Sequence, residues 1–409
     1  MTSSISPRSL QRFPAVWLTA LLGASGCGGV AGSPDSIAPP AAVGYAYVAA
    51  SPSGAGNPGA VYEYALKTDF SASALAPVSI AAGVQPAAVA VGVNHVYVVN
   101  VGDGTVSQYN IQADHTLTPM NPAAVPNPGM KTLGVMPSAA IFDGTRSLLY
   151  VANSGDNTLS QFSIGSDGKL SPLTPATVAA GIAPTSMVTG ITGSGRANVY
   201  VANSGAGVAG GAGSISQYVI NLDGTLEPLA PGSVAIVGNP QAIVMVPGAA
   251  YVVNNCGSTC TGSVTQFAFG ADGELTGAGS TAIAGITDGI SMVLTPSGGN
   301  ASANAYVLGN LTTAGTGALS QFGVASDGAL TPANPPALNI GSTALAQALN
   351  FETLYVLTAT AGVGGNNGSG TVTLNTYTLG TGGSPVLAAA ATLAVPNPVS
   401  MGMFFLVAP

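Results

Sequence analysis

Short stretches in which apolar and polar residues alternate follow one another along most of this chain. The most regular of them contain an aromatic residue followed by valine, as in AYVAA at 46–50 and VYVVN at 96–100. Because side chains of a β-strand point alternately to opposite faces, this period of two predicts strands. The step recurs seven times at intervals of 49–55 residues, with its tyrosine at Tyr47, Tyr97, Tyr150, Tyr200, Tyr251, Tyr306 and Tyr355.

A second alternating stretch follows each step, for example VSQYNI at 106–111. In four units an Asp-Gly pair comes next, as at Asp167-Gly168, which predicts a two-residue type I′ hairpin turn. Another short strand and a strand that often contains proline complete a unit of about 50 residues. Four-stranded units repeated around a ring form a β-propeller. The sequence therefore predicts an all-β fold, a β-propeller of seven four-stranded antiparallel blades.

The two ends of the repeat region are complementary. The first unit starts at its second strand, near Tyr45, and the segment 397–407 has the first-strand pattern with no unit after it. We therefore expect the C-terminal strand to be the innermost strand of the first blade, which closes the ring and removes an open sheet edge. The propeller is predicted to span residues 44–409.

These repeats, with their YVxN, SQY and Asp-Gly elements, resemble the lactonase-type seven-bladed propeller family over roughly residues 44–407. That family includes 6-phosphogluconolactonases and muconate-lactonising enzymes, and the YVTN-repeat surface proteins are related to it. The resemblance implies the propeller fold. It leaves the activity open, because one fold supports many functions.

Composition excludes several other classes of protein. Only 5% of the residues are charged, and seven Lys and Arg face fifteen Asp and Glu. No cationic surface is therefore available for nucleic acid. The apolar content of 47% argues against disorder, and we find no uninterrupted apolar stretch of the roughly 20 residues that a membrane-spanning helix needs.

The N-terminus predicts export. Residues 1–26 have the order of a signal peptide, with Arg8 and Arg12 before a short apolar core and small residues. Removal of this segment would leave five basic residues against fifteen acidic ones.

The segment 24–27, Ala-Ser-Gly-Cys, resembles a bacterial lipobox, with Ala24 where leucine is usual. Lipidation of Cys27 would anchor the protein to a membrane through a flexible tether of residues 27–43. The predicted location is the bacterial cell envelope, on the periplasmic or cell-surface side. The alternative is an ordinary secretory signal followed by an incidental cysteine.

Cys256 and Cys260 lie in one Gly/Ser/Thr-rich loop. In an oxidising compartment this spacing favours a disulfide. Free thiols are an alternative, as is a metal site, although the loop holds no His, Asp or Glu as a further ligand.

The connections between strands fall on two faces of the predicted ring. The long-loop face carries the connections from strand 2 to strand 3 and from strand 4 to the next strand 1, and the turn face carries the other two. Because long loops on a rigid scaffold are usual binding sites, we expect the long-loop face to bind a small molecule or a protein. Its candidate ligand residues are Asn100, Asp103, Asn153, Asp156, Asn203, Asn254 and Asp288. The alternative is that these residues only form turns.

Catalytic chemistry is scarce in the sequence. The predicted first-strand segments contain no charged residue and no histidine, whereas a lactone hydrolase needs a general base or an activated water and a group that holds the oxyanion. No catalytic residue, cofactor or metal is therefore predicted, and the leading hypothesis is a monomeric binding scaffold without catalysis. A lactone hydrolase and a structural envelope protein are the alternatives.

Three basic side chains belong to the turn face. His95, Arg146 and Arg196 occupy the turns between strands 1 and 2 in three successive units. They either form an arc that binds an anion or are three solvated turns.

Overall fold

The structure, a computed structural model, describes most of the repeat region. The described residues are 41–50, 57–129, 139–192, 195–206, 213–255, 261–283, 286–295, 303–311, 316–350, 353–360, 371–396 and 398–405. The predicted signal peptide, Cys27, the tether up to residue 40 and the cysteines Cys256 and Cys260 lie outside these ranges, so these predictions remain predictions. Within the ranges, no helix has the length and apolar character needed to cross a membrane.

The described residues form 28 strands in seven four-stranded antiparallel sheets, which confirms the predicted propeller. The strands of blade 1 are the C-terminal β28 (Pro398–Phe405), β1 (Ala42–Ala50), β2 (Pro58–Lys67) and β3 (Ala72–Val84). The other blades follow in chain order: β4 (Pro86–Val91), β5 (His95–Asn100), β6 (Thr105–Ile111) and β7 (Leu117–Pro126) in blade 2; β8 (Ala139–Asp143), β9 (Leu148–Asn153), β10 (Thr158–Ile164) and β11 (Leu170–Ala179) in blade 3; β12 (Pro184–Ile191), β13 (Ala197–Asn203), β14 (Ser214–Ile220) and β15 (Leu226–Ala235) in blade 4; β16 (Asn239–Val246), β17 (Ala249–Asn255), β18 (Ser263–Phe269) and β19 (Leu275–Ala282) in blade 5; β20 (Ile286–Leu294), β21 (Ala303–Leu311), β22 (Gly317–Val324) and β23 (Leu330–Asn339) in blade 6; β24 (Thr343–Asn350), β25 (Thr353–Ala359), β26 (Val372–Leu379) and β27 (Pro385–Leu393) in blade 7, with a 3-10 turn at Thr381–Gly383.

The first strands of the blades contact one another in a closed ring, in the order β28, β4, β8, β12, β16, β20, β24 and back to β28. The strand β28 pairs antiparallel with β1, with Tyr45 opposite Phe404 and Ala49 opposite Ser400. The C-terminal strand is therefore the first strand of blade 1, as predicted, and this pairing closes the ring. The strand β1 begins at Ala42 and so includes the last two residues of the predicted tether.

The hydrophobic core lies between blades. Seven clusters of buried side chains fill the seven contacts between neighbouring blades, and each cluster takes residues from both. Between blades 2 and 3, for example, Tyr97 and Val99 pack with Leu149, Val151 and Phe162. No blade can bury its own faces alone, so the ring is stable only when all neighbours are present.

Six of the strand-2 tyrosines carry a hydrogen bond that connects their blade to the next. Their rings are buried, and the hydroxyl group donates a hydrogen bond to a backbone carbonyl in the turn between strands 3 and 4 of the following blade. The hydroxyl of Tyr97 donates to Gly168 O at 2.7 Å, and that of Tyr150 donates to Gly224 O at 2.7 Å. The same bond joins Tyr47 to His115, Tyr200 to Gly273, Tyr251 to Gly328 and Tyr306 to Gly383.

These turns correct the predicted type I′ geometry. In blade 3, Gly168 N donates to Gly165 O and Gly165 N to Lys169 O, which makes a three-residue loop. Gly168 has a φ of +80°, whereas Asp167 does not have a positive φ. The prediction of a two-residue turn was wrong because the Asp167 carboxylate accepts the N–H of Lys169, two residues on, and only the glycine is left-handed.

The third-strand glutamines also bind across blades. The Oε1 of Gln108 accepts the backbone N–H of Leu170 in the next blade at 2.6 Å, and its Nε2 donates to Pro122 O in its own blade at 3.1 Å. Gln161 and Gln217 make the same two bonds. Each side chain is fully buried and satisfies two backbone groups that no strand ladder reaches.

Candidate functional site

The four candidate asparagines lie at the ends of second strands, under the long-loop face. All are buried, and the side-chain amide of each donates to hydroxyl groups of the third strand. Asn100 Nδ2, for example, lies 3.0 Å from Thr105 Oγ1 and 2.9 Å from Ser107 Oγ. The equivalent bonds join Asn153 to Thr158 and Ser160, Asn203 to Ser214 and Ser216, and Asn254 to Thr265. These amides therefore fasten strand 2 to strand 3 beneath the loops.

The carbonyl ends of these side chains differ from the amide ends. Asn153 Oδ1 accepts a hydrogen bond from Asn127 Nδ2 at 2.9 Å. The Oδ1 atoms of Asn100, Asn203 and Asn254 are buried and have no hydrogen-bond partner among the described residues. Since buried acceptors are normally satisfied, each of these atoms is a place for a buried water.

The candidate aspartates have separate positions. Asp103 is tied into the fold, because Oδ2 accepts the N–H of Val84 at 2.7 Å and Oδ1 accepts the hydroxyl of Thr105 at 2.7 Å. Asp156 is half-buried, and its N–H donates to Asn153 O at 3.3 Å. Asp288 is exposed near the start of β20. The structure thus places these residues on the long-loop side without gathering them into one cluster.

The first strands carry two carboxylates that the predicted segments did not include. The strand β8 extends to Asp143, and β20 includes Asp288. A first strand runs from the long-loop face to the turn face, so Asp288 lies near the former and Asp143 near the latter. The first strands contain no Lys, Arg or His. Among the described residues, no group of three or more His, Cys, Asp or Glu side chains is placed to hold a metal ion.

Both histidine rings pack against neighbouring residues on the turn face. His115 has a φ of +65°, where most other blades have glycine, and its ring stacks on Tyr45 with centroids 3.8 Å apart. His95 lies against the turn of blade 3, where a Cβ on Gly168 would come within 2.3 Å of its ring. Burial lowers the pKa of both imidazoles, so both are neutral at pH 7.

The predicted arc on the turn face is present in part. Arg146 and Arg196 line one cavity of about 620 Å³ between blades 3 and 4, whereas His95 is not part of its lining. Arg146 is held in place by Asp143, because its Nη1 lies 2.9 Å from Asp143 Oδ2. The same carboxylate also accepts the N–H of Thr145.

The remaining part of the cavity wall was missed from the sequence. It includes Asn221, Leu222 and Asp223 of the turn between strands 3 and 4 in blade 4. The signal that could have identified this turn is Leu222, because the matching residues in the other six blades are small: Thr68, Ala113, Ser166, Ala271, Ser326 and Thr381.

A closed ring of seven blades, with inner strands that hold no Lys, Arg or His and a cavity lined by two arginines, defines the protein as a seven-bladed β-propeller with a candidate site on each face. Residues 45–186 match the family model described as lactonase, 7-bladed beta-propeller. This match confirms the predicted resemblance to the lactonase-type propeller family.

Solved structures give the same fold. A putative 6-phosphogluconolactonase from Bacteroides fragilis is 17% identical, with a TM-score of 0.65 over 88% of this chain and 98% of that one. A putative 6-phosphogluconolactonase from Bacteroides uniformis is 15% identical, with a TM-score of 0.64 over 89% and 100%. A periplasmic gluconolactonase from Pseudomonas aeruginosa is 15% identical, with a TM-score of 0.62 over 89% and 100%. At these identities the likeness establishes the fold alone. No curated protein matches the chain.

Proposed function

We propose that this protein is an extracytoplasmic, lipid-anchored propeller that binds a small molecule or a protein through its long-loop face, without catalysis. The observation that carries the proposal is the chemistry of the first strands, which offer no Lys, Arg or His around the ring. Asp288 supports binding at this face, because its exposed carboxylate is an acceptor for hydroxyl or amide donors.

A lactone hydrolase is the second candidate, favoured by the family match over residues 45–186 and by the names of the fold neighbours. Hydrolysis needs a base for water and a group that stabilises the oxyanion. Asp288 is then the residue to test as the base, because it is the carboxylate of a first strand on the long-loop side.

The experiment that separates the two is a proton-release assay with aldonolactones, their phosphates and acyl-lactones, with and without divalent metal ions. The scaffold proposal expects no turnover. Turnover that Asp288→Asn abolishes would establish the hydrolase instead. Asp272→Asn is the matched control, since it removes an exposed carboxylate from a turn on the opposite face.

The envelope location has its own test. The Pseudomonas aeruginosa protein is named as periplasmic, and the predicted lipobox supports anchoring at Cys27. A labelled fatty acid should be incorporated into the wild-type protein and not into Cys27→Ser. Equal labelling of both, or of neither, would contradict the anchor.

Titration of thiols before and after reduction should reveal two new thiols if Cys256 and Cys260 form the proposed disulfide.

A further inference from the structure

The cavity between blades 3 and 4 on the turn face combines three departures from the repeat. Arg146 and Arg196 both lie four residues before the strand-2 tyrosine of their blade. The same position holds Val43, Val93, Pro247, Ser302 and Phe351 in the other blades. The third departure is Leu222, which is fully exposed at this cavity and is larger than the matching residue of every other blade. Changes that serve the ring would recur around it, and these three meet at one place.

We propose that this cavity is a binding site for a sugar acid, that is, a carboxylate that carries neighbouring hydroxyl groups. The cavity volume of about 620 Å³ lies within the usual range for small-molecule sites. Two of the seven basic residues of an otherwise acidic chain line it.

The arginine of blade 3 is oriented for a carboxylate. Asp143 and Thr145 occupy its Nη1, at 2.9 and 3.1 Å. Its Nη2 and Nε make no hydrogen bond within the part of the chain that the structure describes. A guanidinium presents two parallel N–H groups to a planar carboxylate, so a fork that is fixed at one nitrogen and open at the others suits a bidentate ligand.

The opposite wall provides partners for hydroxyl groups. Asp223 Oδ1 accepts the N–H and the hydroxyl of Thr225, at 2.9 and 2.7 Å. Its Oδ2 has no hydrogen-bond partner among the described residues and can accept a ligand hydroxyl. Ser147 lines the same space, and Leu222 offers an apolar surface to the C–H groups of the ligand.

The balance of charge favours a carboxylate over a phosphate. Asp143 is paired with Arg146, and Asp223 is a second carboxylate at the cavity. A sugar acid brings one negative charge, whereas a phosphate group brings nearly two at pH 7 and meets more repulsion from these carboxylates.

Calorimetric titration of the purified protein tests the proposal with gluconate, sorbitol and inorganic phosphate. Sorbitol has the carbon chain and hydroxyl groups of gluconate with an alcohol in place of the carboxylate. We expect gluconate to bind at least about tenfold more tightly than sorbitol, because a charged hydrogen-bonding pair is lost, and more tightly than phosphate. Phosphate binding that equals or exceeds gluconate binding, or no gluconate binding at all, would overturn the assignment.

Variants locate the site. Arg146→Gln and Arg196→Gln should each weaken gluconate binding about tenfold or more. Lys169→Gln removes a cation that pairs with Asp167 outside the cavity lining, and it should leave binding unchanged. Leu222→Ser changes a fully exposed side chain, so it tests the site without risk to folding and should also weaken binding. Equal loss in Lys169→Gln and the arginine variants would show that the site is not this cavity. This test is independent of the proposed function, which concerns the other face.

Discussion

The contact between blades 1 and 2 and the contact between blades 2 and 3 use the same third-strand position with different chemistry. At the second contact, Gln108 accepts the N–H of Leu170 and donates to Pro122 O. At the first contact the position holds Glu63, whose Oε2 accepts the N–H of Leu117 at 2.9 Å. Its Oε1 is buried without a hydrogen-bond partner among the described residues.

The difference shows that this third-strand position requires a side chain that can both accept and donate a hydrogen bond. Pro122 in blade 2 lies three residues after Pro119, which pairs with Tyr109. The equivalent residue in blade 1 is Pro77. A carboxylate cannot donate to a carbonyl, but a protonated carboxyl can do so as an amide does. Burial raises the pKa of Glu63 to about 7, against the opposing effect of the Leu117 N–H. The comparison therefore predicts that Glu63 is neutral at acidic pH and that above pH 7 it carries a buried charge that destabilises the fold.

The largest effect is expected from removal of the glutamine bonds at an unaltered contact. Gln161→Leu leaves the buried N–H of Leu226 unpaired and removes the hydrogen bond to the carbonyl of Pro175. We expect a loss of about 2–5 kcal/mol in the free energy of unfolding, measured by urea titration at pH 8. Glu63→Leu should cost less than about 1 kcal/mol at this pH, because it also removes a buried carboxylate. Equal losses in the two variants would contradict the comparison.

The second largest effect is expected when the glutamine of blade 2 is replaced by the glutamate that blade 1 has at the same position. Gln108→Glu places a carboxyl group in a fully buried position that requires a donor. We expect a loss of about 2–3 kcal/mol at pH 8 and less than about 1 kcal/mol at pH 5, where the group is protonated. Denaturant midpoints at the two pH values measure the difference. A loss that does not depend on pH would show that shape, and not protonation, decides the fit.

The converse change, Glu63→Gln, should remove a pH dependence that the wild type has. A carboxyl whose pKa is higher in the folded state binds its proton more tightly there, so the wild type loses stability as the pH rises from about 4.5 to about 7. One pKa unit corresponds to about 1.4 kcal/mol, and we expect the variant to be about 1–2 kcal/mol more stable than wild type at pH 8 and equal to it at pH 4. Parallel stability curves for both proteins across this range would refute a protonated Glu63.

These contacts also show how far the sequence reaches. The YV steps and the two complementary chain ends predicted the blades and their closure, because alternation and repetition are local patterns that strands express directly. The partner of Gln108 lies 62 residues away in the next blade, and no local pattern indicates which backbone group a buried amide meets. The asparagines illustrate the same limit, since their clamping bonds to the third strand appear only once the strands are paired. Only part of the cavity between blades 3 and 4 could be predicted. The two arginines occupy the same position in successive repeats, whereas Leu222 differs from the matching residues only in its size.

The smallest effect concerns the turn of blade 2, where two contributions oppose each other. His115 adopts a left-handed backbone with a φ of +65°, which costs about 1–2 kcal/mol relative to glycine, and its ring stacks on Tyr45, which contributes about 0.5–1.5 kcal/mol. His115→Gly should therefore change the free energy of unfolding by less than about 1 kcal/mol. His115→Ala keeps the backbone cost and loses the stacking, so it should be about 1 kcal/mol less stable than the wild type. Thermal unfolding at pH 7.5, where the imidazole is neutral because burial lowers its pKa, compares the two variants without a change of charge. If the alanine and glycine variants unfold at the same temperature, the left-handed backbone carries no cost at this position.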